Sequence, residues 1–116
     1  MKFSHVTIQT KKFEDEIHFF EKYVDMKEVH RLKGNGRNIV FLTGDEGGSN
    51  IEIIERADAE DFDNENISLG FLTENVEKKR EELIDDGFEV TPMMSPAPNA
   101  KFFFVKDPAG VTIQFM

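Results

Sequence analysis

The sequence predicts an α+β fold built from two tandem βαβββ modules. Three observations predict it: strand-like and helix-like patterns alternate in that order, the order starts again halfway along the chain, and the two halves overlap when one is shifted onto the other. A length of 116 residues suits a single domain. We place repeat one at about 1–56, a linker at 57–65 and repeat two at about 66–116.

The first repeat opens with an alternating segment, residues 2–10, which predicts a strand. Residues 13–24 then carry apolar side chains at helical spacing. The other elements are strands separated by turns. The strands are predicted at 26–33, 37–43 and 50–55, and the turns at 34–36 and 44–49.

The second repeat follows an acidic, weakly apolar stretch that predicts a solvated linker. It begins with a strand at 67–73, and Asn75 is expected to cap a helix that Gly87 ends. The remaining strands are predicted at 88–91, 101–106 and 111–116. The Met- and Pro-containing segment 92–100 predicts a loop, which is either a lid over a ligand or a simple connection.

The overlap of the two halves is specific enough to pair individual positions. A shift of 63 residues lays His5 on Ser68 and residues 39–42 on 102–105, whereas a shift of 62 lays Glu52 on Gln114. The change of one residue belongs in the turn between the last two strands of each repeat. The halves are therefore related by duplication of one structural unit.

The outer strands of each repeat place one polar residue opposite an apolar pair. Val6 and Ile8 suit a face covered by a helix, and the same holds for the neighbours of the other three polar residues. The polar residues then share the other side of the sheet and predict a lined cavity. They are His5, Glu52, Ser68 and Gln114.

Strand parity adds four pocket candidates. Arg37 shares a face with Phe41, and Lys101 shares a face with Phe103. Either cation could hold an anionic group, and the Phe103 ring could stack on a ligand. The alternative for the cations is a surface charge at a strand end, and for Phe103 a place in the core.

Composition excludes several classes of partner and site. The formal net charge of −9 repels phosphate backbones and anionic membranes, so we expect neither nucleic acid nor a membrane as a partner. The sequence has no cysteine, which excludes disulfides, thiolate metal sites and a cysteine nucleophile. No signal peptide precedes the first alternating segment, so we expect a cytoplasmic location.

Four segments resemble the vicinal oxygen chelate superfamily of glyoxalases, bleomycin-resistance proteins and extradiol dioxygenases. They are Ser4–Ile8, Phe19–Lys27, Asn50–Ile53 and Asp107–Phe115, and the Asp-Pro-x-Gly turn in the last is the most specific. The resemblance, which is closest to glyoxalase I, implies a curved mixed sheet around a cup-shaped pocket. It also implies a small-molecule ligand and a homodimer.

The resemblance also implies where a metal would be held. Family enzymes use His or Glu from the first and last strands of each repeat, which here means His5, Glu52, Ser68 and Gln114. His5 and Glu52 match, Gln114 offers a neutral oxygen, and Ser68 is a poor ligand for a transition metal. We therefore expect a weakly held divalent metal, nickel or zinc, or no cofactor. His5 and Gln114 could equally be hydrogen-bonding residues of the pocket.

Three functions remain open at this point. The altered positions Ser68 and Gln114 favour a metal-free module that sequesters or senses a small metabolite or drug, as bleomycin-resistance proteins do. The retained His5 and Glu52 favour a metal-dependent lyase or isomerase similar to glyoxalase I, with Glu52 as the catalytic base that forms an enediolate. The third possibility is a degenerate domain used only for assembly.

Overall fold

The computed structural model describes residues 1–34, 36–44 and 50–116 and divides into two compact units, Met1–Asp61 and Phe62–Met116. The predicted turn at 44–49 lies outside the described residues except for Gly44, and the centre of the turn at 34–36 also lies outside them. Each unit has the element order strand, helix, strand, strand, strand. The predicted α+β fold of tandem βαβββ modules is therefore confirmed.

Unit 1, Met1–Asp61, is a four-stranded mixed sheet with one helix. Its elements are β1 (His5–Thr10), α1 (Phe13–Tyr23), β2 (Lys27–Gly34), β3 (Arg37–Thr43) and β4 (Asn50–Glu55). The strand order is β1-β4-β3-β2, with β1 and β4 parallel and the other pairs antiparallel. The first and last strands of the unit are thus direct neighbours.

The core of unit 1 lies on the side of the sheet that α1 covers. Apolar side chains three or four positions apart along α1 are buried, as the helical spacing predicts. On the sheet, Val40, Leu42 and Ile53 are fully buried. Each such aliphatic side chain contributes about 1.5–3 kcal/mol on burial, which fixes the face that each strand turns toward the helix.

Unit 2, Phe62–Met116, repeats this plan with shorter strands. Its elements are β5 (Ser68–Phe71), α2 (Val76–Asp85), β6 (Met94–Ala97), β7 (Ala100–Lys106) and β8 (Thr112–Phe115). The strand order is β5-β8-β7-β6, and β5 and β8 are parallel. Asn75 caps α2 as predicted, since its side chain accepts a hydrogen bond of 3.0 Å from the Lys78 backbone N–H.

The second strand of unit 2 lies later in the chain than the sequence indicates. Residues 88–91 form only one isolated bridge, Val90 to Val105, and β6 lies within the segment predicted as a loop. The segment was predicted as a loop because proline, here Pro96, lacks the backbone donor that a paired strand needs. However, β6 has a strand neighbour on one side only, so it needs no donor on the other side. The segment therefore contains an edge strand.

The turn between β7 and β8 is stabilised by a buried aspartate. One oxygen of Asp107, Oδ1, accepts the backbone N–H groups of Ala109 at 3.0 Å and Val111 at 2.9 Å. Gly110 follows with φ of +90°, and a Cβ there would lie 2.3 Å from the carbonyl oxygen of Phe62. Phe62 also donates its N–H to the Ala109 carbonyl at 2.8 Å, so the turn and the start of unit 2 pack backbone to backbone.

In the part of the chain that the structure describes, neither helix is long and apolar enough to cross a membrane.

Replacing Gly110 by Ala should destabilise the protein more than replacing Gly87 by Ala. Both glycines have φ near +90°, so both substitutions carry backbone strain of about 1–2 kcal/mol. Nothing lies within 4 Å of a Cβ at Gly87, whereas the Phe62 backbone blocks one at Gly110. Urea unfolding should show at least about 1 kcal/mol further loss of unfolding free energy for Gly110→Ala. Equal losses would show that the segment around Phe62 does not pack on the turn.

Candidate functional site

The candidate site in unit 1 depends on the parallel pairing of β1 with β4. In this register Thr7 lies beside Glu52 and His5 lies beside Asn50. Because side chains alternate along a strand, His5, Thr7 and Glu52 share one face. The buried residues Ile51 and Ile53 occupy the opposite face, under the helix.

His5 and Glu52 are brought into contact by this register. The imidazole Nε2 lies 3.5 Å from Glu52 Oε1, and the two side chains are 35% and 15% exposed. The other imidazole nitrogen, Nδ1, lies 3.0 Å from the Ser4 hydroxyl. Both ring nitrogens therefore have polar neighbours, while the pair stays accessible from one side.

Two further residues complete the polar cluster and its border. The Thr7 hydroxyl donates a hydrogen bond of 2.5 Å to Glu52 Oε1, which orients the carboxylate. Phe41 of β3 lies opposite Glu52 in the antiparallel register, and its ring meets the His5 ring edge to face with centroids 5.7 Å apart. We call His5, Thr7, Phe41 and Glu52 the unit 1 cluster.

Sequence reasoning named three members of the unit 1 cluster but missed Thr7. The signal was present, because Thr7 has the same strand parity as His5 and lies two residues from it. What the sequence did not provide was the register of β1 against β4. Without that register, Thr7 could not be placed beside Glu52 rather than beside another residue of the strand.

The corresponding positions in unit 2 carry different chemistry. Ser68 of β5 is exposed, and Gln114 of β8 is half-buried between Gly70 and Phe104 in the register. Gly70 stands where unit 1 has Thr7, and the Gln114 amide oxygen lies 3.6 Å from the place of a Cβ on Gly70. Unit 2 therefore presents a neutral amide, without the hydroxyl that orients the carboxylate in unit 1.

Two of the pocket candidates lie on the other face of unit 2. Phe103 is fully buried and stacks on Phe115, with ring centroids 5.6 Å apart. Lys101 has the same parity and forms an ion pair of 2.7 Å with Glu77 of α2, which lowers the pKa of that carboxyl. Both assignments are corrected: these side chains are on the helix-covered face, and Phe104 is the residue that shares a face with Gln114.

Arg37 lies at the first position of β3, away from the position expected of a pocket residue. It begins β3, pairs with Gly34 of β2 and is exposed. The register separates it by four residues from Phe41 along the strand, which is about 13 Å. Its parity was read correctly, but the distance along β3 removes it from the cluster.

The donor atoms of the unit 1 cluster do not by themselves make a catalytic metal site. Across residues 1–34, 36–44 and 50–116, no group of three or more His, Asp or Glu side chains is arranged to hold an ion. The cluster offers one imidazole and one carboxylate, whereas catalytic zinc sites commonly use three protein ligands. The carboxylate oxygen nearest the imidazole is also the one that accepts the Thr7 hydrogen bond.

Known proteins are similar to this chain in sequence pattern and in fold. The sequence model of the Glyoxalase/Bleomycin resistance protein/Dioxygenase superfamily matches residues 2–115. A glyoxylase/bleomycin resistance protein/dioxygenase domain from Frankia sp. EAN1pec has a TM-score of 0.81 at 20% identity, covering 100% of this chain and 96% of that one. No protein with a curated description matches the chain significantly.

Two solved structures of resistance and glyoxalase proteins are also similar. One is the fosfomycin resistance protein FosX from Listeria monocytogenes, complexed with Mn(II) and 1S,2S-dihydroxypropylphosphonic acid (TM-score 0.78, 18% identity, covering 98% of this chain and 90% of that one). The other is the trypanothione-dependent glyoxalase I of Leishmania major (TM-score 0.78, 16% identity, covering 100% and 86%). At these identities the likeness concerns the fold.

The family match covers nearly the whole chain, and the βαβββ units with their terminal Asp-Pro-x-Gly turn agree with it. The protein belongs to the Glyoxalase/Bleomycin resistance protein/Dioxygenase superfamily.

Proposed function

We propose that the protein binds a small organic molecule at the unit 1 cluster and needs no metal to do so. The observation that carries this proposal is the pair of contacts made by Glu52. Its Oε1 accepts a hydrogen bond from the Thr7 hydroxyl and lies 3.5 Å from the His5 imidazole. Protein groups therefore orient this carboxylate. It serves as a polar anchor beside an aromatic wall, which is the usual composition of a small-molecule site.

The charges of the site favour a ligand that carries hydrogen-bond donors or positive charge. When ionised, Glu52 can only accept hydrogen bonds, and the whole chain has a formal net charge of −9. His5 is the more exposed of the pair and can donate or accept, according to its tautomer. Phe41 borders the pair and offers apolar contact to the body of the ligand.

A second candidate is a metal-dependent lyase or isomerase, favoured by the 3.5 Å distance between His5 Nε2 and Glu52 Oε1. Two donors with bonds of about 2.0–2.1 Å to one tetrahedral ion lie about 3.3 Å apart, close to this distance. The similar FosX structure holds Mn(II). Against this candidate, the cluster supplies two protein donors and the third would have to come from elsewhere.

Metal-free bleomycin, a cationic glycopeptide, is a suitable probe for the proposed function. We expect isothermal titration calorimetry to show binding to protein freed of metal, and we expect Phe41→Ala and Glu52→Gln each to weaken it at least about tenfold, the loss of one good contact. His18→Ala, an exposed change on α1, is the matched control and should have no effect. The absence of bleomycin binding, together with fosfomycin binding that requires Mn²⁺, would replace this proposal by the second candidate.

Metal affinity separates the two candidates directly. With only an imidazole and a carboxylate in the cluster, titration of the native protein with Zn²⁺, Ni²⁺ and Mn²⁺ should show no stoichiometric binding at submicromolar concentration. His18→Ala controls for ions held by surface histidines. Submicromolar stoichiometric binding that His5→Ala abolishes and His18→Ala preserves would contradict the metal-free proposal.

Thr7 should act as a positioning residue for Glu52. Thr7→Val removes the hydroxyl that donates to the carboxylate while keeping the shape, so bleomycin affinity should fall several-fold because Glu52 is less well oriented. Thr7→Ser keeps the hydroxyl and should restore most of the affinity. Thr7 is exposed, so the midpoint of thermal unfolding should change little. Equal affinities for the Val and Ser variants would show that the hydroxyl does not matter.

We also propose that the protein forms a symmetric homodimer. Apolar side chains next to the edge strands β1 and β5 are exposed: Phe3 at 64%, Ile67 at 62% and Leu72 at 85%. Such side chains are commonly covered in assemblies. Light scattering at micromolar concentration should give about twice the chain mass of 13.4 kDa, and Leu72→Glu should shift it toward the monomer. A single 13.4 kDa species for the native protein would contradict the dimer.

A further inference from the structure

Unit 2 contains an open cavity that none of the residues predicted from the sequence lines. Its volume is about 730 Å³, within the range of about 300–1,000 Å³ that is usual for small-molecule sites. Phe104 and Val105 of β7 supply part of its apolar lining, and Val90 and Met94 contribute further apolar surface. No member of the unit 1 cluster belongs to this cavity, so it raises a question separate from the proposed function.

One of the residues that line the cavity has a buried hydroxyl without a partner. Thr112 of β8 lines it and is 8% exposed, and its Oγ1 makes no hydrogen bond to any residue in 1–34, 36–44 or 50–116. Leaving such a group unsatisfied lowers the stability of the folded protein. A ligand group that hydrogen-bonds to Thr112 would recover that loss.

The other threonine that lines the cavity, Thr91, differs from Thr112 because its hydroxyl has hydrogen-bond partners. The Thr91 hydroxyl accepts the Phe104 backbone N–H at 2.9 Å and donates to the Pro92 carbonyl at 3.1 Å. Its role is to tie the chain before β6 to β7. Of the two threonines that line the cavity, Thr112 is therefore the one whose hydroxyl has no hydrogen-bond partner within the described residues.

The rim of the cavity carries an excess of negative charge. Glu65, Glu89 and Lys106 line it and are exposed, and Lys106 Nζ pairs with Glu65 Oε1 at 3.3 Å. This pairing leaves the charge of Glu89 uncompensated among the three. A cationic group is consequently favoured at the mouth, and a carboxylate is disfavoured.

We propose that this cavity binds a small aromatic amine that bears a second hydrogen-bonding group. The aromatic body packs on Phe104 and Met94, the hydroxyl or similar group pairs with Thr112 Oγ1, and the ammonium lies near Glu89. Each part of the ligand matches one feature of the cavity. The ring matches the apolar lining, the hydroxyl matches the buried Thr112 hydroxyl, and the ammonium matches the negative rim. The site is in addition to the one proposed in unit 1.

Three probes of nearly equal size test the assignment part by part. Tyramine carries the ring, the hydroxyl and the amine; phenethylamine lacks the hydroxyl; 4-hydroxyphenylacetate replaces the amine by a carboxylate. Titrations followed by amide NMR shifts should show tyramine binding at Phe104, Val105 and Thr112. Phenethylamine should bind about five- to tenfold more weakly, the value of one hydrogen bond, and 4-hydroxyphenylacetate more weakly still.

Variants connect each preference to a residue. Thr112→Val should reduce tyramine affinity to that of phenethylamine and leave phenethylamine unchanged, whereas Thr112→Ser should retain the difference. Glu89→Gln should weaken both amines and leave 4-hydroxyphenylacetate unchanged or improved. Ser95→Ala, an exposed change on β6, is the control and should alter nothing. His5→Ala should also leave tyramine binding intact, so this site and the unit 1 site succeed or fail separately.

Several results would overturn the proposal. Tyramine shifts confined to residues outside the cavity would place the ligand elsewhere. An unchanged preference for tyramine in a folded Thr112→Val protein would remove the hydroxyl from the site. If Thr112→Val fails to fold, loss of the preference in Thr112→Ser would do the same. Tighter binding of 4-hydroxyphenylacetate than of the amines would refute the assigned class of ligand.

Discussion

Parallel pairing between the first and last strands of each unit is the constraint on which the candidate site depends. In unit 1 it joins residues 45 positions apart, so that the Thr7 hydroxyl reaches Glu52. Because side chains alternate along a strand, a shift of one residue in this register would move Glu52 to the face of the sheet that α1 covers. The burial of Ile51 and Ile53 under α1 prevents that shift. The polar cluster is thus held in place by the apolar core behind it.

The two units keep the same topology but differ in the chemistry of the same face. Thr7 and Glu52 in unit 1 correspond to Gly70 and Gln114 in unit 2. The first change removes a hydroxyl and the second removes a charge, so the hydrogen-bonded carboxylate has no counterpart. What unit 2 offers instead is an apolar cavity with one buried hydroxyl, Thr112. The two units therefore present different chemistry at corresponding positions.

Membership of the superfamily leaves the reaction open, because one fold supports several activities. The similar structures include a fosfomycin resistance protein complexed with Mn(II) and a glyoxalase I. The choice between a metal-dependent and a metal-free function depends on the atoms of the unit 1 cluster that could hold a metal ion. An imidazole and a carboxylate with an orienting hydroxyl suit hydrogen bonding to an organic ligand, and two protein donors are fewer than a catalytic zinc site commonly has. This is why the metal-free function is preferred.

The sequence alone determined the fold, the repeat and the face of the main site residues. Alternation separated Glu52 from Ile51 and Ile53, and duplication made the pattern visible twice. These features are local, since they depend on the order of polar and apolar residues along one strand. The cap at Asn75 could be predicted for the same reason.

Only the tertiary structure decided which side of a uniform strand is buried and which residues meet across strands. Three consecutive phenylalanines, 102–104, contain no polar residue to mark a face, so Phe103 was placed in the pocket although it stacks on Phe115 in the core. The edge strand β6 could not be predicted from the sequence, because a strand with Pro96 is favourable only at an edge. Only the tertiary structure shows that β6 is an edge strand. The cavity at Thr112 likewise depends on the packing of β7, β8 and the chain before β6. Packing across strands joins residues far apart in sequence, and no local pattern encodes their register.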